Sequence, residues 1–194
     1  MDFQLQSDQD LIHLYVAGNE AGLVELIRRY QSKIYTSIYL LVKDEYLAED
    51  IFQDTFIKVI NTLKAGKYNE EGKFLPWVSR IAHNLVIDHF RREKRTPMVT
   101  SDDEFDIFEV LGHYDESTED RMVREQTYRD LKTLIHYLPA EQKEVLIMRH
   151  FGDMSFKEIA DVTDVSINTA LGRMRYALNN LRKMMQNREV ALKN

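Results

Sequence analysis

Apolar residues recur every three or four positions along most of the chain, which is the period of an amphipathic α-helix. In the N-terminal half, this pattern predicts a short helix that is capped by Ser7 and ends near Gly18. Three longer helices are predicted at residues 21–42, 46–63 and 75–94. Gly66 and Gly72 bracket a polar loop, and Thr96-Pro97 ends the last of these helices. We therefore expect an all-α fold.

The third predicted helix has two different faces. Its inner side is expected to hold Leu47, Ile51, Phe52, Thr55, Phe56 and Val59. The opposite side gathers Glu49, Asp50, Gln53 and Asp54. A carboxylate-rich surface of this kind suits a partner that carries basic side chains.

The fourth predicted helix combines aromatic, amide and basic side chains. Its inner side is expected to hold Val78, Ile81, Ala82 and Leu85. One exposed stripe should contain Arg80, Asn84, Asp88 and Arg91, and the helix ends in a basic cluster at 91–95. Rings stack on unpaired bases while cations follow the phosphates, so this helix suits single-stranded nucleic acid. In the alternative interpretation, Trp77 and Phe90 are core residues and the basic end complements the helix dipole.

Two short helical patterns near the C-terminus predict a helix-turn-helix. Ser155 and Glu158 form a capping box, so the first helix should begin at Phe156, and residues 163–165 make a short connection. Ser166 is the next N-cap candidate. A buried seam is expected to contain Ala170, Met174, Ala177, Leu181 and Met185. The polar faces could then meet phosphates and base edges, although a plain helical hairpin with a solvated basic face fits the same pattern.

The distribution of charge along the chain is more informative than the net charge. The 194 residues carry a formal net charge of −6, which is the wrong sign for a protein that simply coats DNA. Residues 100–120 contain nine acids and no lysine or arginine, whereas residues 166–194 contain six cations and one acid. We therefore expect two small helical domains with separate partners, joined by an acidic flexible linker.

Several functional classes find no support in the sequence. The absence of cysteine excludes disulfides and thiolate metal sites. No apolar run approaches the length of a membrane span, and the polar N-terminus lacks the features of a signal peptide, so we expect a soluble intracellular protein. The six histidines do not follow the zinc-protease spacing, and no phosphate loop or nucleophile motif is present. We predict no metal, no cofactor and no enzymatic activity.

The order of these features resembles the extracytoplasmic-function (ECF), or group 4, sigma factors of bacterial RNA polymerase, within the sigma-70 family. Residues 48–59 resemble the polymerase-binding segment of region 2, and residues 74–95 resemble the promoter-melting helix. Residues 138–160 resemble region 4 as it enters its helix-turn-helix. The connection between the domains, about 30 residues, is too short for the extra domain of larger sigma factors.

The resemblance implies domains and partners. It places sigma region 2 at residues 1–96, the acidic linker at 97–125 and sigma region 4 at 126–194. Core RNA polymerase, promoter DNA in duplex and single-stranded form, and an anti-sigma factor would be the partners. The protein would work in the bacterial cytoplasm, where an anti-sigma factor can hold it at the membrane.

The resemblance also implies roles for individual residues. Those expected to grip a coiled coil of the polymerase's largest subunit are Glu49, Asp50, Gln53, Asp54 and Phe56. Those expected at the −10 element, where the loop at 65–73 would capture a flipped base, are Lys67, Trp77, Arg80, His83, Asn84, Arg91 and Arg92. Those expected at the −35 element are Ser166, Asn168, Thr169, Leu171, Gly172, Arg173, Arg175 and Tyr176.

Some positions depart from the family pattern and leave alternatives open. Leu171, Gly172 and Tyr176 stand where a basic residue, serine and arginine are common, so the promoter preference stays open. His83 is either a pH-sensitive contact or a half-buried spacer. The acidic linker is either a solvated tether or a nucleic-acid mimic in the polymerase RNA path. A helix-turn-helix regulator controlled by a ligand or by dimerisation remains the alternative function, but it would need neither the acidic nor the aromatic-basic helix.

Overall fold

The computed structural model describes residues 5–69, 73–93, 131 and 133–192, and the regular elements among these residues are helices. The predicted linker at 97–125 lies outside the described residues, as do Gly72, Lys94 and Thr96-Pro97. The chain divides into two compact units, 1–111 and 112–194, and each is described by itself.

The described residues of the first unit form four helices, whose ends agree with the predicted ends to within about two residues. They are α1 (Asp8–Val16), α2 (Ala21–Val42), α3 (Glu45–Lys64) and α4 (Phe74–Glu93). Local capping fixes two of the starts, because the Asp10 amide donates to Ser7 Oγ and the Leu47 amide donates to Asp44 Oδ1.

The core of the first unit lies around α2, which packs against the other three helices. Its fully buried side chains include Leu11, Leu26, Ile34, Ile38, Val59, Leu63, Phe74, Val78 and Val86. Gly22 allows the backbones of α1 and α2 to touch, because a Cβ at this position would overlap the carbonyl oxygen of Leu11. The close crossing of α1 and α2 therefore depends on glycine, which has no side chain, at position 22.

Charged side chains tie the start of α1 to α2. Arg29 donates to Asp8 and to Glu25, at 3.0 Å each, and the Tyr30 hydroxyl donates to Asp8 at 2.6 Å. Arg28 makes two further hydrogen bonds to Glu25, at 2.7 and 2.8 Å. The hydrogen bonds from Arg28, supported by Arg29, lower the pKa of Glu25 to about 2.

The second unit contains the predicted helix-turn-helix. Its described residues include the helices α5 (Ala140–His150), α6 (Phe156–Thr163) and α7 (Ile167–Leu192), and residues 133–136 are also helical. One buried cluster joins them and consists of Val145, Met148, Met154, Ile159, Ala160 and Ala170. Asn180 on α7 donates to Gln142 on α5 at 2.8 Å. In the described part of the chain, no helix is both long and apolar enough to span a bilayer.

Candidate polymerase and promoter interfaces

The structure brings the acidic residues of α3 onto one exposed face. Glu49, Asp50, Gln53 and Asp54 are all exposed. The amide of Gln53 donates to the carboxylate of Glu49 at 3.0 Å, which leaves the carboxylates of Asp50 and Asp54 directed to solvent. From Glu45 to Ile57 the sequence contains no lysine or arginine, so this stretch of α3 carries only negative charge, and exposed Lys58 follows it.

Phe56 does not belong to this face. It is only 6% exposed, and its ring lies 4.9 Å from the ring of Phe52, which packs against the core. The helical register turns position 56 away from Asp50 and Asp54, so the assignment of Phe56 as a surface grip is corrected. Two exposed apolar residues were missed instead, Tyr46 and Ile57. Their spacing from Asp50 and Gln53 was the sequence signal that could have found them.

The outer face of α4 carries the predicted polar and basic residues. Arg80, Asn84, Arg91 and Arg92 are exposed, and Lys67 is exposed in the preceding loop. Asp88, half-buried on the same side, lies 3.8 Å from Arg91. This surface therefore offers cations for phosphates and one amide for a base edge.

Trp77 lies at the border between the core and this surface. It is half-buried, with its ring 5.9 Å from Phe74 and 4.5 Å from Tyr68. Both interpretations of Trp77 therefore describe part of its position, since it packs against the core and keeps an accessible side. Tyr68 was missed, although it is an aromatic residue in the polar loop before α4.

His83 is buried rather than presented to DNA. It is 5% exposed and lies on the inner side of α4, where Ser79 and Val86, one turn away on either side, are also buried. This burial is deeper than that of a half-buried spacer, and it keeps the ring away from the face that carries Arg80 and Asn84. We therefore remove His83 from the set of expected DNA contacts.

The helix-turn-helix forms through the predicted caps. The Ser155 amide donates to Glu158 at 2.7 Å, and the Glu158 amide donates to Ser155 Oγ at 3.2 Å, which completes the capping box. Asp164 ends α6 in the left-handed conformation, with φ 52°. The Thr169 amide then donates to Ser166 Oγ at 3.0 Å, so Ser166 caps α7 as predicted.

The start of α7 presents a polar face with an apolar residue at its edge. Asn168, Gly172 and Tyr176 follow at a spacing of four and share one face, and a Cβ at Gly172 would meet no atom within 4 Å. Leu171, three residues after Asn168, is exposed at the edge of this face, in line with exposed Leu178. Among the other expected −35 contacts, Ser166, Thr169 and Arg175 are exposed and Arg173 is half-buried.

The buried seam of α7 is shorter than predicted. Ala170, Ala177 and Leu181 are buried and Met174 is half-buried, but Met185 is exposed. Because Asn180 already bonds Gln142 in the first turn of α5, Met185 lies beyond the start of that helix. The prediction that Met185 is a core residue was therefore wrong.

Comparison with known proteins identifies the family. The sigma-70 region 2 family model matches residues 26–96, and the sigma-70 region 4 model matches residues 128–180. The RNA polymerase sigma-H factor of Pseudomonas aeruginosa is 28% identical over 185 residues, covering 93% of this chain and 95% of that protein. The ECF sigma factor SigW of Bacillus subtilis is 27% identical over 175 residues, covering 87% of this chain and 91% of SigW. The chain belongs to the ECF group of the sigma-70 family.

Solved structures show the same fold for this ECF sigma factor. CnrH, solved in complex with the cytosolic domain of CnrY, has a TM-score of 0.60 at 20% identity and covers 94% of this chain and 99% of CnrH. The sigma factor RpoE of Bartonella quintana, solved with the anti-sigma factor NepR, has a TM-score of 0.64 at 17% identity and covers 84% and 96%. The protein is an alternative sigma factor, and the predicted all-α fold with sigma regions 2 and 4 is confirmed.

Proposed function

We propose that this ECF sigma factor binds core RNA polymerase through α3, opens the −10 element with α4 and reads the −35 element with α7. One observation carries the proposal: the unit matched by region 2 presents both an acidic face and an aromatic-basic face, and the unit matched by region 4 presents a capped helix-turn-helix. A regulator that only bound duplex DNA would have no use for the first two faces.

Polymerase binding is assigned to Glu49, Asp50, Gln53 and Asp54. Their exposure and single sign of charge suit a basic coiled coil of the polymerase's largest subunit. Asp54 is the residue we expect to matter most. Opposite charges across the interface would speed encounter and fix the orientation of the helix on its partner.

Promoter opening is assigned to the outer face of α4. Lys67, Arg80, Arg91 and Arg92 would follow the backbone of the non-template strand, and Trp77 would stack on an unpaired base. Asn84 would bind the edge of a base that has left the duplex. Unstacking a base costs a few kcal/mol, so a surface that binds only the flipped base converts binding energy into local melting. No nucleotide hydrolysis and no catalytic group are needed.

Reading of the −35 element is assigned to the first turns of α7. Asn168, Gly172 and Tyr176 would face the base edges in the major groove, and Arg173 and Arg175 would contact phosphates or guanine. Ser166 and Thr169, hydrogen-bonded to each other at 2.8 Å, stand at the start of the helix, where a phosphate can approach. Leu171 would touch a thymine methyl from the edge of this surface.

Regulation by a protein inhibitor and action in the cytoplasm complete the proposal. Both structural neighbours described above were solved with a protein partner, which is an anti-sigma factor in the case of RpoE. A partner of the same kind would sequester this chain and could hold it at the membrane.

Transcription with purified components tests the proposed function. Core enzyme from the same bacterium is mixed with the full-length protein and a pool of genomic fragments, and run-off products are sequenced. We expect products that begin at a common promoter sequence and require the protein. A protein that fails to bind core enzyme and instead binds duplex sites as a dimer would support the alternative, a helix-turn-helix regulator independent of polymerase.

A further inference from the structure

The acidic face of α3 carries two large apolar side chains that its charge does not explain. Tyr46 is 85% exposed and Ile57 is 54% exposed. Asp50 lies four residues after Tyr46, Gln53 seven residues after it and Ile57 eleven residues after it, so the four follow one line along the helix. We name Tyr46, Asp50, Gln53 and Ile57 the α3 stripe. Buried Phe56 contributes nothing to it.

The α3 stripe has an ordered chemical layout. Its apolar members stand at the two ends, about 16 Å apart along the helix axis. Its polar members fill the middle, and Glu49 and Asp54 lie on either side of them. Three turns of helix match the footprint of another helix, so one partner helix can contact both apolar ends of the stripe.

We propose that Tyr46 and Ile57 are the apolar anchors of the polymerase-binding surface, each packing against an apolar side chain of one basic helix. The inference rests on the proposed binding of polymerase by α3 and assigns the anchoring role that Phe56 cannot fill. Charge complementarity selects the occupant, since the four acids from Glu45 to Asp54 favour a cationic partner. A symmetric dimer that pairs α3 with α3 of a second copy would set acids against acids, so that pairing is disfavoured at this surface.

The two kinds of side chain have different tasks in this interface. The carboxylates act at a distance, so they accelerate association and make the affinity depend on salt. The anchors act only in contact, so they slow dissociation and leave the salt dependence unchanged. The slope of affinity against salt concentration therefore separates an anchor from a charge.

Binding of fluorescently labelled full-length sigma factor to core RNA polymerase, followed by anisotropy at several salt concentrations, tests the proposal. The variants are Tyr46→Gln and Ile57→Gln, compared with Asp54→Asn. Val24→Gln is the matched control, because Val24 is a β-branched residue that is 63% exposed on α2. The variant Ile57→Gln removes the exposed half of an isoleucine from the contact, so it should raise Kd about five- to tenfold without changing the slope of affinity against salt concentration. Asp54→Asn should raise Kd and flatten the slope.

The outcomes separate this inference from the proposed function. If Asp54→Asn weakens binding while either glutamine variant of the α3 stripe binds as tightly as Val24→Gln, the anchor assignment is wrong and polymerase binding by α3 stands. If Asp54→Asn also leaves Kd unchanged, polymerase binding by α3 is itself wrong. Thermal melts accompany each variant, and Ile57→Thr, which keeps the β-branch, replaces Ile57→Gln if that variant melts at a lower temperature than the wild type.

Discussion

The same substitution, glycine to alanine, should have opposite effects in two helices of this protein. At Gly22, a Cβ would overlap the Leu11 carbonyl oxygen and lie 3.1 Å from the Tyr15 nitrogen and 3.2 Å from the Leu11 carbonyl carbon. All three atoms belong to the backbone of α1, so no side chain can rotate away. At Gly172, a Cβ would meet nothing within 4 Å.

The expected magnitudes follow from these surroundings. Overpacking typically costs about 1–3 kcal/mol, and rigid backbone atoms place Gly22→Ala at the upper end of that range. The higher helix propensity of alanine offsets about 1 kcal/mol of this cost, so the free energy of unfolding should fall by about 2 kcal/mol. Gly172→Ala receives only the gain, about 1 kcal/mol at most. If α1 separated from α2, the buried side chains of Leu11 and Ile12 would become exposed, so the stability lost in Gly22→Ala should appear as cooperative unfolding of the first unit.

Urea denaturation followed by two signals measures both effects. Trp77 is the single tryptophan and lies in the first unit, so its fluorescence follows that unit, whereas far-UV circular dichroism follows both units. Gly22→Ala should lower the urea midpoint of the fluorescence transition, and Gly172→Ala should leave it unchanged while delaying helix loss in the second unit. An unchanged or raised fluorescence midpoint for Gly22→Ala would refute the close approach of α1 and α2.

Three further predictions concern pH, capping and promoter opening. The pKa of Glu25 is about 2 in the folded state against an ordinary value of 4.5, so its contribution to stability is present above about pH 4.5 and is lost as the pH falls toward 2. The difference in urea midpoint between the wild type and Glu25→Gln should therefore shrink from pH 7 to pH 2.5. A difference that stays constant over this range would contradict the prediction. Ser155→Ala should destabilise the second unit by about 1 kcal/mol, measured by circular dichroism, while the Trp77 transition stays in place; a shift of both would show that the effect is not local capping. Asn84→Ala should leave core binding intact and reduce permanganate reactivity of promoter thymines, whereas normal reactivity would remove Asn84 from the base-binding surface.

Helix positions were predictable from the sequence because their signals are local. Ser7 and Ser155 each form a hydrogen-bonded ring within four residues, so no distant contact is needed to place the helix start. The short connection between α6 and α7 was predictable for the same reason, although the left-handed Asp164 is visible only in the structure.

The facing of individual residues was less predictable, because it depends on what packs against each helix. His83 lies one position from exposed Asn84, and one position turns a side chain by about 100° around the axis. The inner side of Phe56 was predicted correctly, and it is the polymerase-binding role that does not fit its burial. Met185 continues the apolar spacing of α7 past the start of α5, where spacing alone cannot show that a partner helix has ended. The spacing of Tyr46 and Ile57 from Asp50 and Gln53 indicated one line along α3, but how far the two side chains are exposed is visible only in the structure.

Gly172 has a consequence for engineering. Because a Cβ there would meet no atom within 4 Å, a library of helix-compatible side chains at this position should leave folding unharmed while changing the surface that we propose faces the −35 element. Selection from such a library would report on base preference with little interference from stability. Position 172 is therefore a natural starting point for building sigma factors that direct polymerase to new, mutually independent promoters.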